Sequence, residues 1–115
     1  MPISVKRGEI YWLDWEQGKG SEQAGIRPAL IIQNDIGNAM SPNTIVAAIT
    51  SAPNRPYRFM VTFTPEESGL HRGGAVDLAS LVTVSKMRLG AKCGQLTPAK
   101  MAEVNRAIEV SLGLR

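Results

Sequence analysis

The chain has 115 residues, enough for one hydrophobic core and too few for two, so all function is expected on a single domain spanning 1–115 or on an oligomer of it. Thirteen Lys+Arg against ten Asp+Glu leave a net charge of +3, which favours an anionic partner without naming one. No apolar run approaches the roughly 20 residues that span a bilayer, no charged-then-apolar signal opens the chain, and a lone Cys93 cannot close an internal disulfide, so cytoplasmic residence is expected.

Residues 8–15 (GEIYWLDW) are aromatic-rich and apolar on both alternations, the pattern of a strand buried on two sides or packed at a dimer surface. Trp12 and Trp15 are accordingly expected in a core or an interface rather than on a binding surface. Segment 16–26 (EQGKGSEQAGI) follows, with three glycines and the charges of Lys19 and Glu22. A loop that long in so small a domain is expected to bind or gate something. Arg27 stands at its exit, where a permanently charged guanidinium with five donors suits an anion such as phosphate.

Residues 28–33 (PALIIQ) and 44–49 (TIVAAI) are short continuous apolar runs bounded by turn residues and read as central strands. Residues 57–64 alternate, with Tyr57, Phe59, Val61 and Phe63 on one face, as in a half-exposed strand. Residues 65–69 (PEESG) turn the chain, residues 75–84 alternate again with Val76, Leu78, Val82 and Val84 on one side, and a short strand is expected near 93–96. At Thr97 the period changes: Thr97 can N-cap, Pro98 suits the first helical position, and Met101, Val104, Ile108 and Leu112 form an apolar stripe that ends at Gly113. Short strands, frequent turns and one closing helix predict a mainly β fold, a small bent barrel of the SH3-like kind capped by helix.

Strand interiors are apolar, so chemistry must come from polar residues where strands meet loops. Sequential strands usually pair, and antiparallel pairing of 28–33 with 44–49 would set Arg27 beside Thr50-Ser51. An arginine, a hydroxyl and the loop carboxylate of Glu22 can together hold a phosphodiester and stabilise a pentacoordinate transition state without a metal. The structural alternative is that Arg27 pairs with a loop acid and Thr50-Ser51 caps a strand. His71 lies in the 65–74 turn with no second histidine to match it and reads as a solvated turn residue, and Cys93 reads as a small buried core residue. One His, one Cys and scattered acids give no metal-ligand spacing, so neither a metal nor a cofactor is expected.

The runs RGEIYWLDW at 7–15, GSEQAGIRPALIIQND at 20–35 and TIVAAITS at 44–51 resemble the opening half of the MazF/PemK toxins, the endoribonucleases of type II toxin–antitoxin pairs. The likeness continues more thinly through KMRLG at 86–90 and the C-terminal helix. It implies a homodimeric SH3-like barrel of the MazF/CcdB type that cleaves single-stranded RNA without metal, leaving 2′,3′-cyclic phosphate and 5′-hydroxyl ends. It also implies a MazE-like antitoxin with an acidic C-terminal segment. The family's catalytic arginine and threonine fall on Arg27 and Thr50, and its loop glutamate on Glu22. Where many relatives carry an acid-Gln pair that helps read a base, this chain has Ala79-Ser80, so that contact would be shorter or absent.

An RNA needs a cationic track with stacking surfaces. Arg55, Tyr57 and Arg58 supply charge and one aromatic, Ser51 and Ser80 add polar contacts, and Lys19, Arg72 and Arg88 extend the track. Two other classes remain open: a CcdB-like toxin that binds gyrase, against which Gly113-Leu114-Arg115 stands where that family needs a tryptophan, and a non-catalytic SH3-like module for acidic peptides.

Overall fold

The computed structural model describes residues 4–15 and 25–115. Among these, six strands form one antiparallel sheet in the order β4-β5-β3-β2-β1-β6: β1 (Glu9–Asp14), β2 (Ile26–Ile31), β3 (Asn43–Thr50), β4 (Met60–Phe63), β5 (Gly74–Ser85) and β6 (Leu89–Gln95). Helix α1 (Asp35–Met40) joins β2 to β3, α2 (Pro65–Ser68) joins β4 to β5, and α3 (Pro98–Ser111) closes the chain.

The continuous apolar runs behave as their composition requires. Because side chains alternate across a strand, Ile10, Leu30, Ala47 and Ile49 enter one core, while Tyr11, Leu13, Ala29, Ile31 and Val46 enter a second on the opposite face. Helix α3 covers the first core with Val104 and Ala107, both almost fully buried, while Met101 and Ile108 pack at its margin. Leu112, the expected last member of that stripe, is exposed, because the helix has ended at Ser111. The cap is as expected: the Thr97 hydroxyl accepts from Lys100 N, and Gly113 takes the left-handed φ of 73°.

Barrel-like closure comes from α2. It leaves edge strand β4, carries a capping box between Thr64 and Glu67, and rests on the opposite edge strand β6, where Thr97 N donates to Glu67 O at 3.1 Å. Arg7 ties the start of β1 to both neighbouring helices: its backbone N donates to Asp35 Oδ1, its Nε to Ile32 O and its Nη2 to Asn105 Oδ1, all within 2.8 Å.

Two turns prove to be helical, and two expectations fail for local reasons. The turn residues that bound 28–33 open a helix, since the Asn34 side chain accepts from Gly37 N and caps α1. The 65–69 turn is likewise a helical turn. The 57–64 strand shortens to Met60–Phe63, because a turn closes ahead of it, with Met60 N donating to Tyr57 O at 2.9 Å; Tyr57 stacks on Phe59 (centroids 5.1 Å apart, planes 6° apart) and stays exposed instead of facing the core. The 75–84 alternation is broken in the middle. Ala47 pairs with Leu81 but Ala48 pairs with Asp77, so residues 78–80 bulge out of register. Val76 and Leu78 therefore face the first core, Val84 faces the second, and Val82 lies at the surface.

Candidate nucleic-acid interface and active site

Strand register builds the site. Strands β2 and β3 pair with Ala29 opposite Ala48, and the same register carried outward sets Arg27 across from Thr50, as the sequence suggested. Thr50 is simultaneously paired with Ala75 of β5, so it sits where three strands meet. The approach to β5 demands glycine: a Cβ on Gly74 would lie 2.8 Å from Thr50 O, and one on Gly73 would lie 2.8 Å from Phe63 O. This close passage folds the connection after α2 over the end of β3.

The result is a cleft of about 440 Å³ whose lining includes Arg27, Thr50 and Ser51, with Trp12 on one wall, Cys93 on another, and His71 and Arg72 from the turn. Two guanidiniums and two hydroxyls thus share one concave surface. No described carboxylate lines it, so the field inside favours an anion. Burial pushes the Cys93 thiol above its ordinary range, which keeps it protonated and poorly nucleophilic. Among the described residues no group of three or more His, Cys, Asp or Glu side chains is placed to hold a metal.

The other sequence candidates distribute differently. Lys19 and Glu22 lie outside the described residues. Arg55 and Tyr57 are exposed on the segment that leaves Ser51 towards β4. Arg58 instead lines a second groove of about 280 Å³ between β4 and α3, together with Met60, Glu103, Arg106 and Arg115. Ser80 falls in the β5 bulge, where its Oγ donates to Asp77 Oδ2 at 2.9 Å; it does not line the cleft. Arg88, expected to extend the track, donates through Nη2 to Asp14 O at 2.7 Å.

Three residues not proposed for the site from the sequence also line the cleft. Trp12, expected in a core or an interface, is 41% exposed in the single chain and lines the cleft. Cys93 is half-buried at the cleft wall as well as against the first core. His71 is an exposed turn residue, as expected, and it also lines the cleft that holds Thr50.

Residues 6–112 match the family described as PemK-like, MazF-like toxins of type II toxin–antitoxin systems. The chain belongs to this family. It is 43% identical over 111 residues to Endoribonuclease MazF of Staphylococcus saprophyticus, covering 96% of this chain and 92% of that protein. It is 40% identical to Endoribonuclease EndoA of Bacillus subtilis, covering 96% of each. Among solved structures it resembles a mycobacterial endoribonuclease in complex with its cognate antitoxin, with a TM-score of 0.80, 27% identity, and coverage of 96% of this chain and 97% of that one. This PemK/MazF-like toxin also shares its fold with MazF of Deinococcus radiodurans, at a TM-score of 0.78. No helix among its described residues is long and apolar enough to cross a membrane.

Proposed function

We propose that this toxin is an endoribonuclease that cleaves single-stranded RNA at short sequence motifs, in the cytoplasm, by internal transesterification and without a metal. The observation that carries the reading is the cleft that joins Arg27, Arg72, Thr50 and Ser51 with no described carboxylate among its walls. Relatives at 40–43% identity across 96% of the chain are named endoribonucleases, which supports the same reaction class here.

In this reading the 2′ oxygen attacks the adjacent phosphorus, and the bond from phosphorus to the 5′ oxygen breaks. The products are a 2′,3′-cyclic phosphate and a 5′ hydroxyl. Arg27, too strong a base to give up its charge, stabilises the phosphorane, and Thr50 donates a hydrogen bond to a non-bridging oxygen, with Ser51 adding a second. Glu22 takes the 2′ proton. Lys19 and Arg55 hold flanking phosphates, while Trp12 and Tyr57 offer faces on which bases stack, each worth about 1–3 kcal/mol. The toxin works as a homodimer and is silenced by an antitoxin whose acidic segment occupies the same cationic surface.

Purified protein incubated with a long single-stranded RNA is the test. Discrete products are expected from the wild type, and Arg27→Ala or Thr50→Ala should each lower cleavage by about 10²–10³-fold with the fold intact. Intact RNA together with inhibited gyrase would replace this reading with that of a gyrase poison.

A further inference from the structure

We propose that His71 is the general acid of this RNA-cleaving site, protonating the 5′ oxygen as it leaves phosphorus. The proposal rests on the ribonuclease reading above and supplies the step which that reading leaves without a suitable donor. An alkoxide is a poor leaving group unless it is protonated as the bond breaks. A guanidinium holds its proton too tightly at neutral pH to give it up readily, which disqualifies Arg27 and Arg72. The Cys93 thiol, its titration raised by burial, is no better. Of the described side chains lining the cleft, the imidazole of His71 is the one of a type that commonly serves as a general acid.

His71 is exposed at the cleft, and the backbone on either side of it is anchored. Gly69 N donates to Pro65 O at 2.7 Å, and the buried Ser68 hydroxyl accepts from Leu70 N at 3.1 Å. Leu70 packs against the first core. Three residues beyond His71, Gly74 passes close to Thr50 O, and Ala75 pairs with Thr50. The turn that carries His71 thus runs between two anchored stretches, one of them paired with Thr50. Among the described residues, the charged and titratable groups that share the cleft with it are Arg27 from β2, Arg72 from its own turn and Cys93 from β6. The substrate phosphate brings the negative charge that an imidazolium pairs with.

The step balances without a co-reactant. The 2′ oxygen bonds to phosphorus as its proton passes to solvent water. The bond from phosphorus to the 5′ oxygen breaks with its electron pair, and the imidazolium N–H proton moves to that oxygen. Neutral His71 then recovers a proton from water, and no group changes oxidation state.

The experiment compares two RNA oligonucleotides around a mapped cleavage position, one natural and one with sulfur in place of the bridging 5′ oxygen. A thiolate leaves without protonation. On natural RNA, His71→Asn and His71→Gln should slow single-turnover cleavage by about 10²–10⁴-fold, and the alkaline fall in kcat/KM should vanish. On the sulfur substrate the variants should cleave nearly as fast as the wild type. Binding of an uncleavable 2′-deoxy analogue at wild-type affinity identifies variants that are folded. Equal losses on both substrates would make His71 a base or a positioning residue, and unchanged cleavage of natural RNA would remove it from the mechanism; either overturns the proposal. If the wild type cut neither oligonucleotide, the ribonuclease reading itself would fall.

Discussion

Gly74 offers a way to move the proposed catalytic threonine without touching it. An ideal Cβ at this position lies 2.8 Å from Thr50 O and 3.2 Å from Phe63 Cζ, where ordinary contact begins at 3.4 Å. In Gly74→Ala the Thr50 carbonyl, or β5 with it, must retreat by about 0.6 Å, the difference between 2.8 and 3.4 Å, and the backbone oxygen cannot swing aside as a flexible side chain would. Overpacking of this kind costs about 1–3 kcal/mol of stability. The larger effect is on chemistry. A misplacement of about 1 Å at a reacting centre can cost on the order of 10²-fold in rate, so a shift of roughly half that size should slow cleavage by about 10-fold in molecules that remain folded. Thermal denaturation gives the stability loss, and single-turnover cleavage well below the melting range gives the rate. Wild-type values in both would show that the passage of β5 over Thr50 is looser than the structure has it. A lowered melting temperature with an unchanged rate would break the link between this contact and catalysis.

The remaining predictions concern solution conditions and base reading. Cleavage should survive EDTA, and RNA affinity should fall by about 0.7 log units per tenfold rise in salt for each phosphate contacted; dependence on added Mg²⁺ or a flat salt response would contradict one half or the other. Stability should fall at alkaline pH. Burial and the hydrogen bond to Glu9 raise Tyr11 to about 12, so the folded state holds this proton more tightly than the unfolded chain; the contribution is complete below about pH 10 and is lost as pH climbs towards the folded value. Burial pulls Glu9 upward, but the hydrogen bonds from Lys92, Lys6 and Tyr11 outweigh it and hold the carboxyl low, so its contribution is present above about pH 4 and disappears on acidification. Urea unfolding of wild type and Tyr11→Phe from pH 8 to 12 should show the alkaline loss in the former and much less in the latter. Ser80→Ala should leave the cleavage motif and the rate unchanged, as judged by mapping product ends on a mixed transcript.

How legible the molecule was in its sequence depended on how local the determining physics is. The two-sided burial of 28–33 and 44–49 was legible because a continuous apolar run has few other ways to hide, and α3 because Thr97, Pro98 and a 3.6-residue stripe agree. The juxtaposition of Arg27 with Thr50 followed from one pairing rule. What escaped was non-local. The bulge at 78–80 answers to the neighbouring strand, and no alternation within 75–84 announces it. His71 reaches the cleft because Gly73 and Gly74 let β5 approach two carbonyls 10 and 24 residues away, at Phe63 and Thr50, and only the density of glycine in 69–74 hinted at so close an approach. Tyr57 followed a period-2 pattern but found a partner in Phe59 before it found the core.

The bulge bears directly on which groups can read RNA bases. Without it, position 80 would continue the ladder from Thr50 and Ala75 along β5, and its side chain would answer to that alternation. With it, the Asp77 carboxylate accepts from Ala79 N at 3.0 Å and from Ser80 Oγ at 2.9 Å, so the bulge is closed by its own side chains and the Ser80 hydroxyl spends its proton locally. Removing that hydroxyl leaves Asp77 its second bond and the cleft its full lining, which is why Ser80→Ala should be silent. Among the described residues, the recognition surface in the proposed function is then left chiefly to aromatic faces, Trp12 within the cleft and Tyr57 beyond Ser51, together with cations on the phosphates. Stacking accepts any base and separates them only by strength, whereas edge hydrogen bonds separate them by pattern. A toxin that relies on the first should cut a looser set of motifs than one that adds the second. A product-end map showing one strictly fixed base at every position would place an edge-reading group elsewhere on this surface, and a change of motif in Ser80→Ala would return that role to β5.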